Sequence, residues 1–130
     1  TERTEPLYGR PGTAYLYFTY GMHWCLNAVT ETKGFPAAVL IRALEPLAGL
    51  DVMRRRRGKE PLCQGPARLC EALGVTGALN RVSLQRGPLR ILEGARVAKR
   101  DIVTGPRIGI TQAIDWPLRF YLKDSPWVSR

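Results

Sequence analysis

Two runs of β-favouring residues flank a glycine near the start of the chain. Thr13-Ala14-Tyr15-Leu16-Tyr17-Phe18-Thr19-Tyr20 is dense in aromatic and β-branched positions. After Gly21-Met22 comes His23-Trp24-Cys25-Leu26-Asn27-Ala28-Val29-Thr30. The pair predicts a β-hairpin. Strand side chains alternate between faces, so Ala14, Leu16 and Phe18 are expected in the core and Tyr15, Tyr17 and Thr19 on the opposite face. Pro6, Gly9, Pro11 and Gly12 break any apolar period before the hairpin, and residues 1–12 read as a loop. Beyond it, Lys33-Gly34-Phe35-Pro36 turns the chain into Ala37–Leu44, a mostly apolar run that predicts a buried strand ending at Glu45-Pro46.

Helical spacing follows. Gly49 to Arg57 predicts a helix with Leu50 and Met53 on its apolar face. Arg54 to Arg57 lie at its C-terminal end, where positive charge complements the helix dipole. Gly58-Lys59-Glu60-Pro61 is a break. In the next helix Gly65 is a cap, and Pro66 fits the first helical position, where a missing N–H costs nothing. Leu69, Cys70 and Leu73 form its inner stripe, and Gly74 suits a left-handed C-terminal cap. From Asn80 onward, Arg81–Gln85, Leu89–Leu92, Pro106–Ile110 and Leu118–Leu122 are predicted strands, separated by Gly87-Pro88 and Gly105-Pro106. Strands dominate and no regular βαβ alternation occurs. The expected fold is α+β, one domain over residues 1–130, with a mainly antiparallel sheet and short helices.

Composition narrows the classes. A chain of 130 residues supports one domain with a real core, and a hydrophobic share of 45% excludes general disorder. No apolar run approaches the roughly 20 residues of a membrane span, and no basic-then-apolar signal segment occurs. The three cysteines cannot all pair within one chain, Cys63 and Cys70 lack zinc-ribbon spacing, and a lone histidine excludes a histidine-rich metal site. Buried free thiols in a reducing compartment are expected. A net charge of +9 favours a polyanionic partner such as DNA, RNA or an anionic membrane.

Candidate chemistry centres on the hairpin. No Walker loop, dinucleotide fingerprint or nucleophile elbow is present. His23 and Cys25 share a strand face but have no separate acidic orienter. Tyr15, Tyr17 and Tyr20 crowd one strand, whereas a core rarely needs three phenols that each want a hydrogen-bond partner. They form either a tyrosine-rich face packed under a loop or an aromatic surface for stacking bases. Tyr20, at the apex beside Gly21, is placed to wedge between base pairs. If the loop is residues 21–23, Tyr17 faces Asn27 across the pair; a two-residue loop shifts that pairing. Arg42 closes an apolar run and needs a counter-ion or a function; Glu45 is a candidate partner. The run Arg54–Arg57 is expected to be a solvated helix end rather than a specific phosphate clamp, though the two are compatible.

The hairpin Tyr15-Leu16-Tyr17-Phe18-Thr19-Tyr20-Gly21-Met22-His23-Trp24-Cys25-Leu26-Asn27 resembles the signature of the alkyladenine (3-methyladenine) DNA glycosylases, and most closely their bacterial members. Further resemblances follow in order: Leu40-Ile41-Arg42-Ala43-Leu44-Glu45-Pro46, Gly65-Pro66-Ala67-Arg68-Leu69-Cys70, Arg107-Ile108-Gly109-Ile110, and Pro117-Leu118-Arg119-Phe120-Tyr121 with Ser125-Pro126-Trp127-Val128-Ser129. The resemblance implies a curved sheet with a DNA-intercalating hairpin. It also implies a base-excision enzyme that flips alkylated or deaminated purines (the 3-methyladenine and hypoxanthine class) out of double-stranded DNA. Such an enzyme hydrolyses the N-glycosidic bond without metal or organic cofactor, as a monomer in the bacterial cytoplasm, with no membrane partner.

By the same resemblance Tyr17 stacks on the flipped base, Tyr20 fills its vacated place, and Asn27 crowds the exocyclic amino group of guanine. Arg42 and the Ile108 carbonyl flank the attacking water. Thr1, Met22, His23, Arg68 and Gly109 contact the DNA backbone. The family's catalytic glutamate lies well before the hairpin, and Glu2 and Glu5 fall too close to Tyr15 to match it. The general base is therefore expected outside these residues, and the chain reads as the C-terminal majority of a glycosylase. Two other classes remain open: a non-catalytic binder of damaged or distorted DNA, and a basic domain that prefers single-stranded RNA.

Overall fold

A computed structural model describes residues 10–19, 22–31, 37–108 and 116–129. The hairpin forms as its alternation predicts. Strands β1 (Ala14–Thr19) and β2 (His23–Val29) pair antiparallel, and β3 (Ala38–Leu40) adds to the far side of β2. Helices α1 (Leu50–Arg57) and α2 (Pro66–Leu73) follow, then short 3-10 turns at Gly77–Leu79 and Lys99–Asp101. A separate antiparallel pair, β4 (Ile102–Gly105) and β5 (Arg119–Leu122), completes the α+β architecture. Among the described residues no helix is long and apolar enough to cross a membrane.

Ala14 and Leu16 of β1 and Leu26 of β2 form one side of the core. Leu69, Cys70 and Ala72 of α2 and Met53 of α1 pack on it, closed by Leu62, Cys63, Val75 and Leu84. Phe18 has the same parity but is exposed, and it packs on Trp24 with ring centroids 4.8 Å apart. Trp24 in turn lies against Gly77, where an added Cβ would collide with the indole ring. The inner stripe of α2 differs by one position, since Ala72 is fully buried and Leu73 only partly. Gly74 adopts φ 70° and its N–H closes on the carbonyls of Cys70 and Glu71, a left-handed cap that favours glycine.

Four predicted strands differ from the expectation. The run Ala37–Leu44 is a strand only over Ala38–Leu40, because the chain changes neighbours. The Ile41 N–H still donates to Leu26, but Leu44 donates to the Cys63 carbonyl and Ala43 bridges Gln64. Arg81–Gln85 follows the outer edge of β1 with one bridge, Thr13 to Ser83. Arg81 has φ 74°, and the Ser83 hydroxyl accepts from the N–H groups of Gln85 and Arg86, so the segment turns rather than extends. Leu89–Leu92 forms no ladder; Ile91 makes a single bond to Leu84, and Leu92 is exposed. Of the strand expected at Pro106–Ile110, the described residues 106–108 are not extended into a ladder; a strand precedes them at Ile102–Gly105, ending where Pro106 has no N–H to give. Gly109 and Ile110 lie outside the described residues.

The arginine run is more than a solvated helix end. The Arg57 side chain is only 7% exposed, and its Nη1 lies 3.0 Å from Glu71 of α2. Its Nε and Nη2 donate to the Pro61 carbonyl at 3.1 and 2.9 Å, and Arg56 donates to the Ala72 carbonyl at 3.0 Å. These bonds tie the C-terminal end of α1 to α2 and hold the intervening turn.

Candidate functional site

The face of the hairpin turned away from the helices carries Tyr15 and Tyr17 on β1 and Cys25 and Asn27 on β2. Residues 20–22 separate the paired ends, so the register is Tyr15 opposite Asn27 and Tyr17 opposite Cys25. The pairing of Tyr17 with Asn27 that a loop of residues 21–23 would give is thus not formed; the partner shifts by two residues. Because side chains repeat every two residues, the slip keeps both on one face as diagonal neighbours. The Tyr15 and Tyr17 rings lie 5.6 Å apart, tilted by 40°. Asn27 is 7% exposed, and its Nδ2 donates to the Tyr15 carbonyl at 3.3 Å. Burial pushes the Cys25 thiol up, while a hydrogen bond with the Tyr17 side chain and the charge of Arg42 pull it back.

This face opens into a cavity of about 1080 Å³. Tyr17, Asn27, Arg42 and Ile108 all line it, although they come from β1, β2, the segment after β3 and the segment after β4. β5 and the chain after it close another side, with Arg119, Tyr121 and Trp127 among the lining residues. That segment is pinned by Arg119, whose Nη2 donates to the Ser129 carbonyl at 2.6 Å and whose guanidinium lies 4.4 Å from the Tyr121 ring centroid. Gln64 also donates to the Pro126 carbonyl at 2.9 Å.

The cavity wall is cationic. Arg42, Arg107 and Arg119 contribute guanidinium groups, and Glu45, exposed, is the one carboxylate among its described lining residues. No ion pair joins Arg42 to Glu45 among the described residues, so Glu45 is not its counter-ion. The Arg42 Nε is buried without a hydrogen-bond partner among the described residues. Burial and then the charge of Arg119 lower the Arg42 pKa from its ordinary value, yet an arginine remains protonated at any working pH. Such a site can orient a water or an anion but cannot itself take a proton.

The remaining candidates lie elsewhere. Met22 is 71% exposed beside the hairpin tip. His23 and Arg68 line a second, smaller concavity of about 230 Å³. Tyr20, Thr1 and Gly109 lie outside the described residues. Arg107 and Arg119 were not singled out by sequence reasoning, though both sit inside the motifs that carry the resemblance. Cys25, Cys63 and Cys70 are free and buried. Among the described residues no group of three or more His, Cys, Asp or Glu side chains could hold a metal ion.

Comparison with known proteins places these features in context. The family model described as methylpurine-DNA glycosylase (MPG) matches residues 1–126. Several relatives bear the name "Putative 3-methyladenine DNA glycosylase". One from Rhodopseudomonas palustris (strain ATCC BAA-98 / CGA009) is 52% identical over 133 residues, covering 100% of this chain and 64% of that protein. One from Nitrobacter winogradskyi is 49% identical, covering 100% of this chain and 63% of that protein. One from Methanoculleus marisnigri is 48% identical, covering 100% of this chain and 71% of that protein. The chain thus spans a little under two thirds of the length of the first two relatives.

Proposed function

The chain belongs to the methylpurine-DNA glycosylase family, and on that premise we propose that the protein carrying it excises damaged purines from duplex DNA by hydrolysing their N-glycosidic bond. The observation that carries the proposal is the convergence of Tyr17, Asn27, Arg42 and Ile108, from four separate segments, on one cavity. Its substrates are 3-methyladenine and hypoxanthine nucleotides turned out of the helix. Alkylation leaves positive charge on the base, which an aromatic ring holds by stacking and cation–π attraction, and Tyr17 offers that ring. Asn27 crowds the exocyclic amino group that distinguishes guanine. Tyr20 occupies the vacated place in the stack, offsetting the few kcal/mol that flipping costs. Thr1, Met22, His23, Arg68 and Gly109 hold the backbone.

In the reaction a water oxygen bonds to C1′ of the sugar as the C1′–N bond breaks, and the bonding electrons leave with the base. Arg42 and the Ile108 carbonyl position the water. Its proton goes to the glutamate that the family resemblance places before the hairpin, outside residues 1–130, since Arg42 cannot accept it. No organic or metal cofactor takes part, and the protein acts as a monomer on DNA in the bacterial cytoplasm.

The test is release of free base from duplexes containing hypoxanthine or 3-methyladenine. The whole protein is expected to release both. Residues 1–130 alone are expected to be slower by about 10²–10⁴-fold, the usual contribution of a general base. Tight lesion binding by the whole protein without base release would replace this proposal with the non-catalytic binder. Comparable rates for the two chains would place the base inside residues 1–130.

A further inference from the structure

The second concavity, of about 230 Å³, is lined by His23, Arg57, Lys59, Ala67, Arg68 and Glu71. Its charges do not balance. Glu71 is matched by Arg57 at 3.0 Å, and the other donors of Arg57 are taken by the Pro61 carbonyl. Arg68 donates to the neutral carbonyl of Gln64 at 3.1 Å, with no carboxylate against it among the described residues. Lys59 has neither ion pair nor hydrogen bond among the described residues. Two uncompensated cations and the imidazole of His23 therefore line one small space. His23 is the first residue of β2, directly after the hairpin tip.

The placement of Lys59 is built in. It lies two residues after the nearly buried Arg57 and two before Pro61, and the Arg57 guanidinium holds the Pro61 carbonyl across that span. A cation whose backbone is already fixed loses less freedom when it meets an anion. The Arg57–Glu71 pair thus neutralises the carboxylate and anchors the turn that presents Lys59.

We propose that Lys59, with Arg68 and His23, forms a seat for one backbone phosphate of the DNA strand, and that Lys59 is a phosphate-binding residue of this protein. The inference rests on the DNA reading above, which supplies the phosphodiester and already places His23 and Arg68 on the backbone; the charge arrangement adds Lys59.

The experiment measures affinity of the whole protein for a hypoxanthine-containing duplex and an undamaged duplex across a salt series. Each phosphate contact contributes about 0.9 to the slope of log K against log salt. Lys59→Gln is expected to lower that slope by about one. It should weaken both duplexes by the same factor and leave the melting temperature unchanged, while Lys59→Arg keeps the slope. An unchanged slope in Lys59→Gln, over a wild type that is itself steeply salt-dependent, overturns the proposal and leaves the DNA reading standing. A flat salt response in the wild type overturns both.

Discussion

Removing the Asn27 side chain separates the pocket's selectivity from the fold's stability. In Asn27→Ala the hydrogen bond from Nδ2 to the Tyr15 carbonyl is lost, a long one at 3.3 Å. A neutral bond of this kind contributes about 0.5–1.5 kcal/mol. The space vacated joins a cavity already about 1080 Å³ in volume, so little further is lost to a new void. The expected destabilisation is about 1 kcal/mol, a fall of about 3–5 °C in melting temperature for a domain of this size. Selectivity should change more. If the amide rejects guanine by crowding its amino group, deleting it removes a repulsive element worth about 1–3 kcal/mol. That corresponds to a gain of roughly 5–150-fold in guanine excision relative to hypoxanthine. The assay is single-turnover base release by the whole protein from matched duplexes bearing guanine or hypoxanthine, with thermal unfolding in parallel. An unchanged ratio, with the expected small loss in melting temperature, would refute the role of Asn27 as the guanine filter. A loss well above 3 kcal/mol would show that the side chain supports the sheet more than the bond suggests.

Two further outcomes are expected. Tyr20→Ser should weaken binding to a lesion duplex far more than it lowers the melting temperature, measured by titration and thermal unfolding; proportionate losses would make Tyr20 a packing residue. The Cys70 thiol, 1% exposed, is pushed from 9.0 to about 11, first by burial. Between those values the unfolded chain has lost its proton and the folded one has not, so stability is full below pH 9 and falls as pH rises towards 11. The slope is at most about 1.4 kcal/mol per pH unit. Urea unfolding at pH 8 and pH 10 should show a smaller drop for Cys70→Ala than for the wild type; equal drops would contradict the burial argument.

Local chemistry made much of this protein legible in advance. The hairpin follows from period-two alternation, and both helices follow from glycines, a proline and apolar spacing that act within one or two turns. The motifs around Tyr17, Asn27, Arg42 and Ile108 marked residues that line one cavity. Tertiary structure decided what depends on partners far along the chain. It set the register that puts Tyr17 against Cys25, and it ended β3 at Leu40 because Cys63 and Gln64 take over as neighbours. It turned Arg57 from an expected solvated charge into a nearly buried tie between two helices. It also brought Arg107 and Arg119 to the wall beside Arg42. A residue's own pattern dictates which conformation its backbone favours. Which carbonyl, carboxylate or ring it meets is set by packing, because those groups are brought near only when distant segments bury their apolar faces together.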